Sequence, residues 1–267
     1  GISSVAQYDG GFLVADLRYF EGTNGLLLVG PGGREPLGPC TSGGGAVSGD
    51  LSAIAWVTFP CPESFDGPTD VVVHRRSSAG TEAQRIAVEP NTNPLTAAIG
   101  FVGDEVVLNR AFGSGALLTD LTSVPRPIPR LGAVRAVDEK RGIVAGQLGD
   151  SYRRDGAVDL ATGRLLWRLQ GVTSVAFSPD GSHLLALADS GWVVLDALTG
   201  KHVARVFETW RAGQVVWEGD QHLVGVVRRG GRQALVRTDL VGRLDLASDI
   251  LGADEPGERR LLIASVP

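Results

Sequence analysis

The chain has no methionine, two cysteines and four histidines, and aromatic residues make up 6% of it. Each scarcity excludes something. Two thiols with no histidine beside them fall short of the four ligands of a structural zinc site. The histidines, His74, His183, His202 and His222, are scattered, and none has an obvious acid or nucleophile as neighbour. No apolar run approaches the roughly 18 residues of a membrane-spanning helix. Positive charge is not in excess either: 25 Lys and Arg against 30 Asp and Glu leave a net charge of −5. Without a basic stripe, general nucleic-acid binding is disfavoured. The chain opens Gly-Ile-Ser-Ser and lacks Met throughout, so it is expected to be a fragment or processed product, with any signal peptide or membrane anchor outside it.

What is abundant is glycine, 37 residues in a chain of 267, a length that can bury a core without metals. Together with Pro, Asp and Thr it punctuates short apolar runs. In "VTSVAFSPDGSHLLALADSGWVVLDALTGKHVARVF", residues 172–207, the runs are Ser174–Phe177, His183–Ala188, Trp192–Asp196 and His202–Phe207. Each ends at turn chemistry: Pro presets φ in Ser178-Pro179-Asp180-Gly181, and Gly accepts positive φ there and in the later turns. Gly and Pro recur too often for a helix, so the segment reads as a four-stranded antiparallel meander.

The same grammar recurs. The first apolar residue of the second run falls near Leu13, Ile54, Val106, Ile143, Leu184, Leu223 and Leu261, roughly 40 residues apart. The longest interval falls in the second unit, which is expected to carry an insertion. A second marker closes the third run: Asp120-Leu-Thr-Ser, Asp159-Leu-Ala-Thr-Gly, Asp196-Ala-Leu-Thr-Gly and Asp239-Leu-Val-Gly. Its Asp is expected to accept hydrogen bonds from the backbone N–H groups that follow. A period near 40 residues with four strands per unit predicts an all-β fold, a single β-propeller over residues 1–267. Six four-stranded blades fit between Ile2 and Ser248, and seven are the alternative. "RRLLIASVP" from Arg259 is expected to be a closing strand that covers an exposed edge.

"VAFSPDGSHLLAL" and "VVLDALTGKHV" resemble WD-repeat-like and TolB-like propellers, with actinobacterial exported or membrane-anchored repeat proteins among the look-alikes. The chain departs from the WD pattern in lacking Gly-His near the blade starts and Trp-Asp at the end of the third strand. The resemblance implies a scaffold for binding and no chemistry of its own.

On such a fold Cys40 precedes the first strand of the second unit and Cys61 follows its second strand. Both then lie at one end of the ring, near enough for a disulfide, whose loop of about 20 residues is worth roughly 3 kcal/mol in the chain-entropy model. A disulfide implies an oxidising compartment, extracellular or extracytoplasmic. Any membrane association would come through a segment outside this chain.

Sites for catalysis are harder to find. "GPGG" at Gly30 and "TSGGGAVSGD" at Thr41 lack the following helix and the Lys-Ser/Thr pair of a phosphate loop, so they read as turns. "FGSG" at Phe112 has neither the spacing nor the context of a nucleophile elbow. "DGPTD" at Asp66 and "GDSYRRDG" at Gly149 have too few acidic oxygens for a calcium loop. His183 and His222 sit at equivalent places at the start of second strands, and read as surface residues one blade apart. No cofactor and no metal is expected.

The connections after second strands and before first strands should all rise on one face, the top. They carry Phe20, Phe65, Arg110, Phe112, Tyr152, Arg153, Arg154, Trp210 and Arg211, the residue types enriched at binding hot spots. The expected function is a non-catalytic module that docks a protein or peptide partner there. The alternative is a propeller enzyme or carbohydrate-binding module, glycosidase-, lyase- or quinoprotein-like, which would need paired carboxylates, a histidine cluster or quinone-stacking tryptophans.

Overall fold

The structure, a computed structural model, describes residues 2–8, 11–16, 26–37, 41–58, 69–75, 81–86, 95–110, 114–207, 211–229 and 232–249; at 2–8, 15–16, 42–44, 69, 75, 81–86, 95–96, 211 and 229 it describes the backbone alone. Its described residues form six four-stranded antiparallel sheets and no helix, a six-bladed β-propeller. Sheet 1 holds β1 (Ile2–Tyr8), β2 (Gly11–Asp16), β3 (Leu26–Gly30) and β4 (Gly33–Pro36). Sheet 2 holds β5 (Thr41–Val47), β6 (Ala53–Thr58), β7 (Thr69–Arg75) and β8 (Thr81–Ile86). Sheet 3 holds β9 (Leu95–Val102), β10 (Glu105–Arg110), β11 (Ala116–Thr119) and β12 (Arg126–Pro127). Sheet 4 holds β13 (Leu131–Asp138), β14 (Ile143–Leu148), β15 (Arg154–Asp159) and β16 (Arg164–Gln170). Sheet 5 holds β17 (Val172–Phe177), β18 (His183–Ala188), β19 (Gly191–Asp196) and β20 (His202–Arg205). Sheet 6 holds β21 (Arg211–Glu218), β22 (His222–Arg229), β23 (Arg232–Asp239) and β24 (Leu244–Leu246). Within each sheet the spatial order follows the chain, and first strands of successive sheets approach one another, β5 with β9, β9 with β13 and β13 with β17.

The inner strands of sheets 2–5 read as unbroken apolar runs because these sheets pack on both faces, and the period of two survives as an alternation between two cores. In β18, Leu184 belongs to the core between sheets 4 and 5 and Leu185 to the core between sheets 5 and 6. In β19, Val193 and Leu195 face the former and Val194 the latter. In β10, Val106 and Leu108 pack toward sheet 2 and Val107 toward sheet 4. Leu13, Leu26, Ile54 and Trp56 fill the space between sheets 1 and 2. Each fully buried Leu or Val side chain contributes about 1.5–3 kcal/mol relative to an exposed one, and a sheet removed from its neighbours would lose that on both faces.

Two boundaries differ from the sequence expectation. The fourth run of sheet 5 ends at Arg205 instead of Phe207, because Phe207 takes φ +55° and turns its ring into the core against sheet 6. In sheet 4, Ile143 pairs with Asp159 as His183 pairs with Asp196, so the residue equivalent to Leu184 is Val144, one later than the sequence anchor. The residues expected to form a closing strand, 259–267, lie outside the described residues, as does much of the length added to the second unit, at 59–68 and 87–94.

Candidate functional site

The connections divide between two ends of the ring. Turns from first to second strands and from third to fourth strands share the lower end; the remaining connections share the upper. The lower turns satisfy themselves. In sheet 5 the Ser178 hydroxyl donates to Asp180 Oδ1 (2.6 Å), the Ser182 N–H donates to the same oxygen (2.9 Å), and the His183 N–H donates to Ser178 Oγ (3.0 Å). Sheet 2 repeats this with Ser48, Asp50, Ser52 and Ala53, at 2.8, 2.9 and 2.9 Å. Asp196 Oδ1 accepts from the N–H groups of Leu198 (3.2 Å) and Thr199 (2.8 Å), and Asp159 Oδ1 from Ala161 (2.9 Å) and Thr162 (3.2 Å), as the sequence marker predicts. Asp120 and Asp239 do likewise.

These bonds favour the charged carboxylates. The hydroxyl and N–H of Ser52, with the Ser48 hydroxyl, hold Asp50 at a pKa of about 2. Asp180 is also lowered to about 2: desolvation opposes, but the Ser178 hydroxyl and the N–H and hydroxyl of Ser182 prevail. The lower turns also brace one another. The Gly49 N–H donates to Glu139 Oε2 (2.5 Å), Lys140 Nζ to the Pro179 carbonyl (2.9 Å), and the Asp180 N–H to Asp220 Oδ1 (2.8 Å), linking sheets 2, 4, 5 and 6. Burial raises the Glu139 pKa above the ordinary carboxylate value, the Gly49 N–H pulling the other way.

The upper end is built differently. Gly149, at φ +54°, donates its N–H to the Arg130 carbonyl (3.0 Å), and the Gly171 N–H donates to the Arg153 carbonyl (2.9 Å). These bonds pin the loop between β14 and β15 to the connections on either side of it. The loop presents Tyr152, 64% exposed, and Arg153; Arg154, also exposed, begins β15. The structure therefore brings Tyr152, Arg153 and Arg154 together on sheet 4 and adds Arg130, which the sequence reading missed. Arg130 has φ +70°, a backbone turn that no glycine advertises. Arg110 ends β10 on sheet 3, half-buried, with its N–H donating to the Gly115 carbonyl (2.9 Å). Phe20, Phe65, Phe112, Trp210, Cys40 and Cys61 lie outside the described residues, and Arg211 is described only by its backbone at the start of β21.

Between the two ends a polar seam joins sheets 4 and 5. Asp155, fully buried, accepts a hydrogen bond from the Ser174 N–H on β17 (2.7 Å), and its Oδ2 lies 3.9 Å from Arg135 Nε. Asn109 makes the matching link from sheet 3 to sheet 4, donating to the Val134 carbonyl (2.7 Å) and accepting from its N–H (2.8 Å). Trp167 donates to the Ala197 carbonyl (2.8 Å), Trp192 to Ala212 (3.1 Å) and Trp217 to Ala176 (3.0 Å), each across a blade interface. These side chains hold neighbouring blades in register.

His183 and His222 occupy equivalent positions opposite Asp196 and Asp239. His183 packs against the Trp217 ring, centroids 6.2 Å apart, and Ser182 Oγ lies 2.7 Å from its Nδ1. Among the described residues no group of three His, Cys, Asp or Glu side chains is placed to hold a metal ion.

No protein-family model matches the chain, and no curated protein does. Solved structures do. A chain of the mitotic checkpoint complex aligns at TM-score 0.62 and 13% identity, over 95% of this chain and 80% of that one. YCF48 bound to a D1 peptide aligns at TM-score 0.58 and 11% identity, over 92% and 80%. A prolyl endopeptidase aligns at TM-score 0.56 and 16% identity, over 93% of this chain and 42% of its own. The likeness is one of fold. At these identities the same ring serves a checkpoint assembly, a peptide-binding protein and an enzyme, so the fold alone does not choose among those roles.

Proposed function

We propose that this propeller is a non-catalytic binding module that docks a protein or peptide on its upper end. One observation carries the reading: the lower turns bond to themselves and to one another, whereas the upper end exposes Tyr152 and Arg153 on a loop that backbone hydrogen bonds fix in place, and Arg154 at the start of β15. A rigid loop presenting an aromatic ring beside guanidinium groups is the composition of binding hot spots. The peptide-bound YCF48 structure supports the reading as a precedent for the fold. Phe65, Arg110, Phe112, Trp210 and Arg211 extend the proposed face along the remaining upper connections.

The module works outside the cytoplasm, with any membrane attachment through a segment outside this chain. The cysteines motivate this location. Thr41 pairs with Thr58 at the upper end of the β5–β6 hairpin, and Cys40 and Cys61 flank that pair in sequence. A photo-crosslinking residue at Tyr152 and another at Leu198, 52% exposed at the lower end, test the face in cells that make the full-length protein. A partner captured from position 152 and not from 198 is the expected result. Capture from 198 alone, or equally from both, overturns the assignment.

A further inference from the structure

Among the described residues, four lower-end arginines, Arg126, Arg141, Arg237 and Arg243, lie within 4.0 Å of carboxylates, and Arg34 and Arg164 do not. At the lower end Arg126 Nη2 meets Glu105 at 2.7 Å, Arg237 Nη2 meets Glu218 at 2.7 Å, and Arg141 contacts Asp138. At the upper end of sheets 4–6, Arg130, Arg153, Arg154, Arg205, Arg228 and Arg232 are all exposed, and none pairs with a carboxylate among the described residues. The described upper-end acids there are three, Asp150, Asp189 and Asp249, half the number of those arginines; Asp155, below them, is turned inside. The acids of sheets 4–6 collect instead in the lower turns, at Asp138, Glu139, Asp159, Asp180, Asp196 and Asp220. Among the described residues, the upper end of sheets 4–6 is thus positive in a chain of net charge −5.

From this separation we infer that the partner's docking segment is an acidic peptide. The inference rests on the upper-end reading above and specifies its chemistry. Exposed guanidinium forks donate paired N–H groups to carboxylate oxygens, and charge complementarity speeds encounter and fixes register. A nucleic acid is the weaker fit, because the chain as a whole would repel a long polyanion. An anionic membrane would lie flat across the whole end, against Asp150, Asp189 and Asp249 as well as the arginines. A second copy offers its acidic lower end, but the carboxylates there are already engaged by their own turns.

The test is fluorescence anisotropy with a labelled 12-residue peptide rich in Asp and Glu, its Asn/Gln counterpart and a Lys-rich control, at low and high salt. Tight binding of the acidic peptide alone, weakened tenfold or more by salt and by Arg153→Glu with Arg154→Glu or Arg228→Glu with Arg232→Glu, is expected. The lower-end pair Arg164→Glu with Lys201→Glu should leave it unchanged. Circular dichroism and thermal melting confirm that each variant is folded. Equal affinity for the neutral peptide, loss in the lower-end variant, preference for phosphatidylserine vesicles over the peptide, or self-association at the same concentrations overturns the inference. If crosslinks form at Tyr152 and the charge reversals leave them intact, the acidic chemistry fails while the docking face stands. Absence of upper-end crosslinks removes the face itself.

Discussion

Gly200 lies against the indole of Trp167: a Cβ at Gly200 would come within 2.8 Å of Trp167 Cγ. The glycine closes the lower turn of sheet 5 at φ +68°, and Trp167 comes from the outer strand of sheet 4, its Nε1 donating to the Ala197 carbonyl in the same turn (2.8 Å). One residue thus answers two demands, a left-handed backbone and a flat surface for the neighbouring blade. Gly200→Ala meets both penalties and should cost about 2–4 kcal/mol in urea unfolding. Trp167→Phe keeps most of the ring and loses the hydrogen bond, for a smaller cost of about 1–2 kcal/mol. A cost for Gly200→Ala no larger than that of an exposed Gly→Ala elsewhere would contradict the blade-locking role.

Leu51 occupies the place in the sheet 2 turn that Gly181 occupies in sheet 5. Their φ values are +61° and +72°, and the flanking Ser-x-Asp-x-Ser hydrogen bonds match. A leucine in this region is strained by about 1–2 kcal/mol. Leu51→Gly should therefore raise stability by about 1 kcal/mol after the loss of a half-buried side chain. The reverse change, Gly181→Leu, should be severe, since a Cβ there would crowd Asp138 and Arg141. Paired thermal melts check both signs.

These two turns show where a sequence can be read and where it cannot. Asp159 and Asp196 announce their hairpins because the turn needs a carboxylate and a glycine at fixed offsets, and both are present. The sheet 2 turn, "SGD" at Ser48, is legible as the counterpart of "SPDG" at Ser178, but with a leucine for the glycine its matching hydrogen bonds emerge only from the structure. Strand positions and blade number were legible because burial on two faces demands apolar runs of one length. Tyr152 and Arg153 fall between the second and third strands of sheet 4 and Arg154 opens the third, a connection that blade order alone assigns to the upper end. Arg130 was missed because the positive-φ position after Pro129 holds an arginine instead of a glycine, and Asp155 because nothing local distinguishes a buried carboxylate from a surface one. Two of the arginine pairs were hidden for a related reason: they join partners far apart in sequence, Glu105 with Arg126 and Glu218 with Arg237.

Acid should unfold the protein over a defined window. Asp50 and Asp180 titrate near 2 in the folded state, and Asp159, Asp196 and Asp239 are also lowered, the first two chiefly by the bonds from Thr162 and Thr199 and Asp239 by the Arg243 N–H. In the unfolded chain these groups return to about 3.9. A depressed folded pKa contributes stability that is complete above the unfolded value and lost as pH falls through the folded one. The melting temperature should therefore hold above about pH 4 and fall toward pH 2. Glu139, whose pKa is raised, opposes this, contributing most at low pH. Replacing Asp50 and Asp180 by Ala should lower the neutral-pH melting temperature and flatten its decline below pH 4. A decline as steep as in the native protein would place the acid sensitivity elsewhere.

The proposed Cys40–Cys61 bridge has a direct readout. Denatured, unreduced protein secreted through an oxidising compartment should show no free thiol, and reduction should add the mass of two hydrogens. Cys40→Ser with Cys61→Ser should lower stability by roughly 3 kcal/mol, the loop-closure value. Because the bridge would tie only the upper end of the β5–β6 hairpin, the loss should appear first as faster hydrogen exchange in β5 and β6, with the sheet 4 and 5 amides unaffected.

The seam at Asp155 separates the role of its charge from that of its hydrogen bond. The side chain is fully buried, accepts the Ser174 N–H at 2.7 Å and lies near Arg135 Nε. Asp155→Ala leaves a buried N–H without an acceptor and Arg135 without its counter-charge, so a loss of about 3–5 kcal/mol is expected. Asp155→Asn keeps an oxygen for Ser174 and removes only the charge. If the link between blades is mainly the hydrogen bond, Asn should recover most of the loss; if Arg135 is what the carboxylate serves, Asp155→Asn should be nearly as damaging as Ala, and Arg135→Met should then restore part of the stability by removing the unpaired cation. Chemical denaturation of the four proteins, with the double variant Asp155→Asn/Arg135→Met closing the cycle, distinguishes the two.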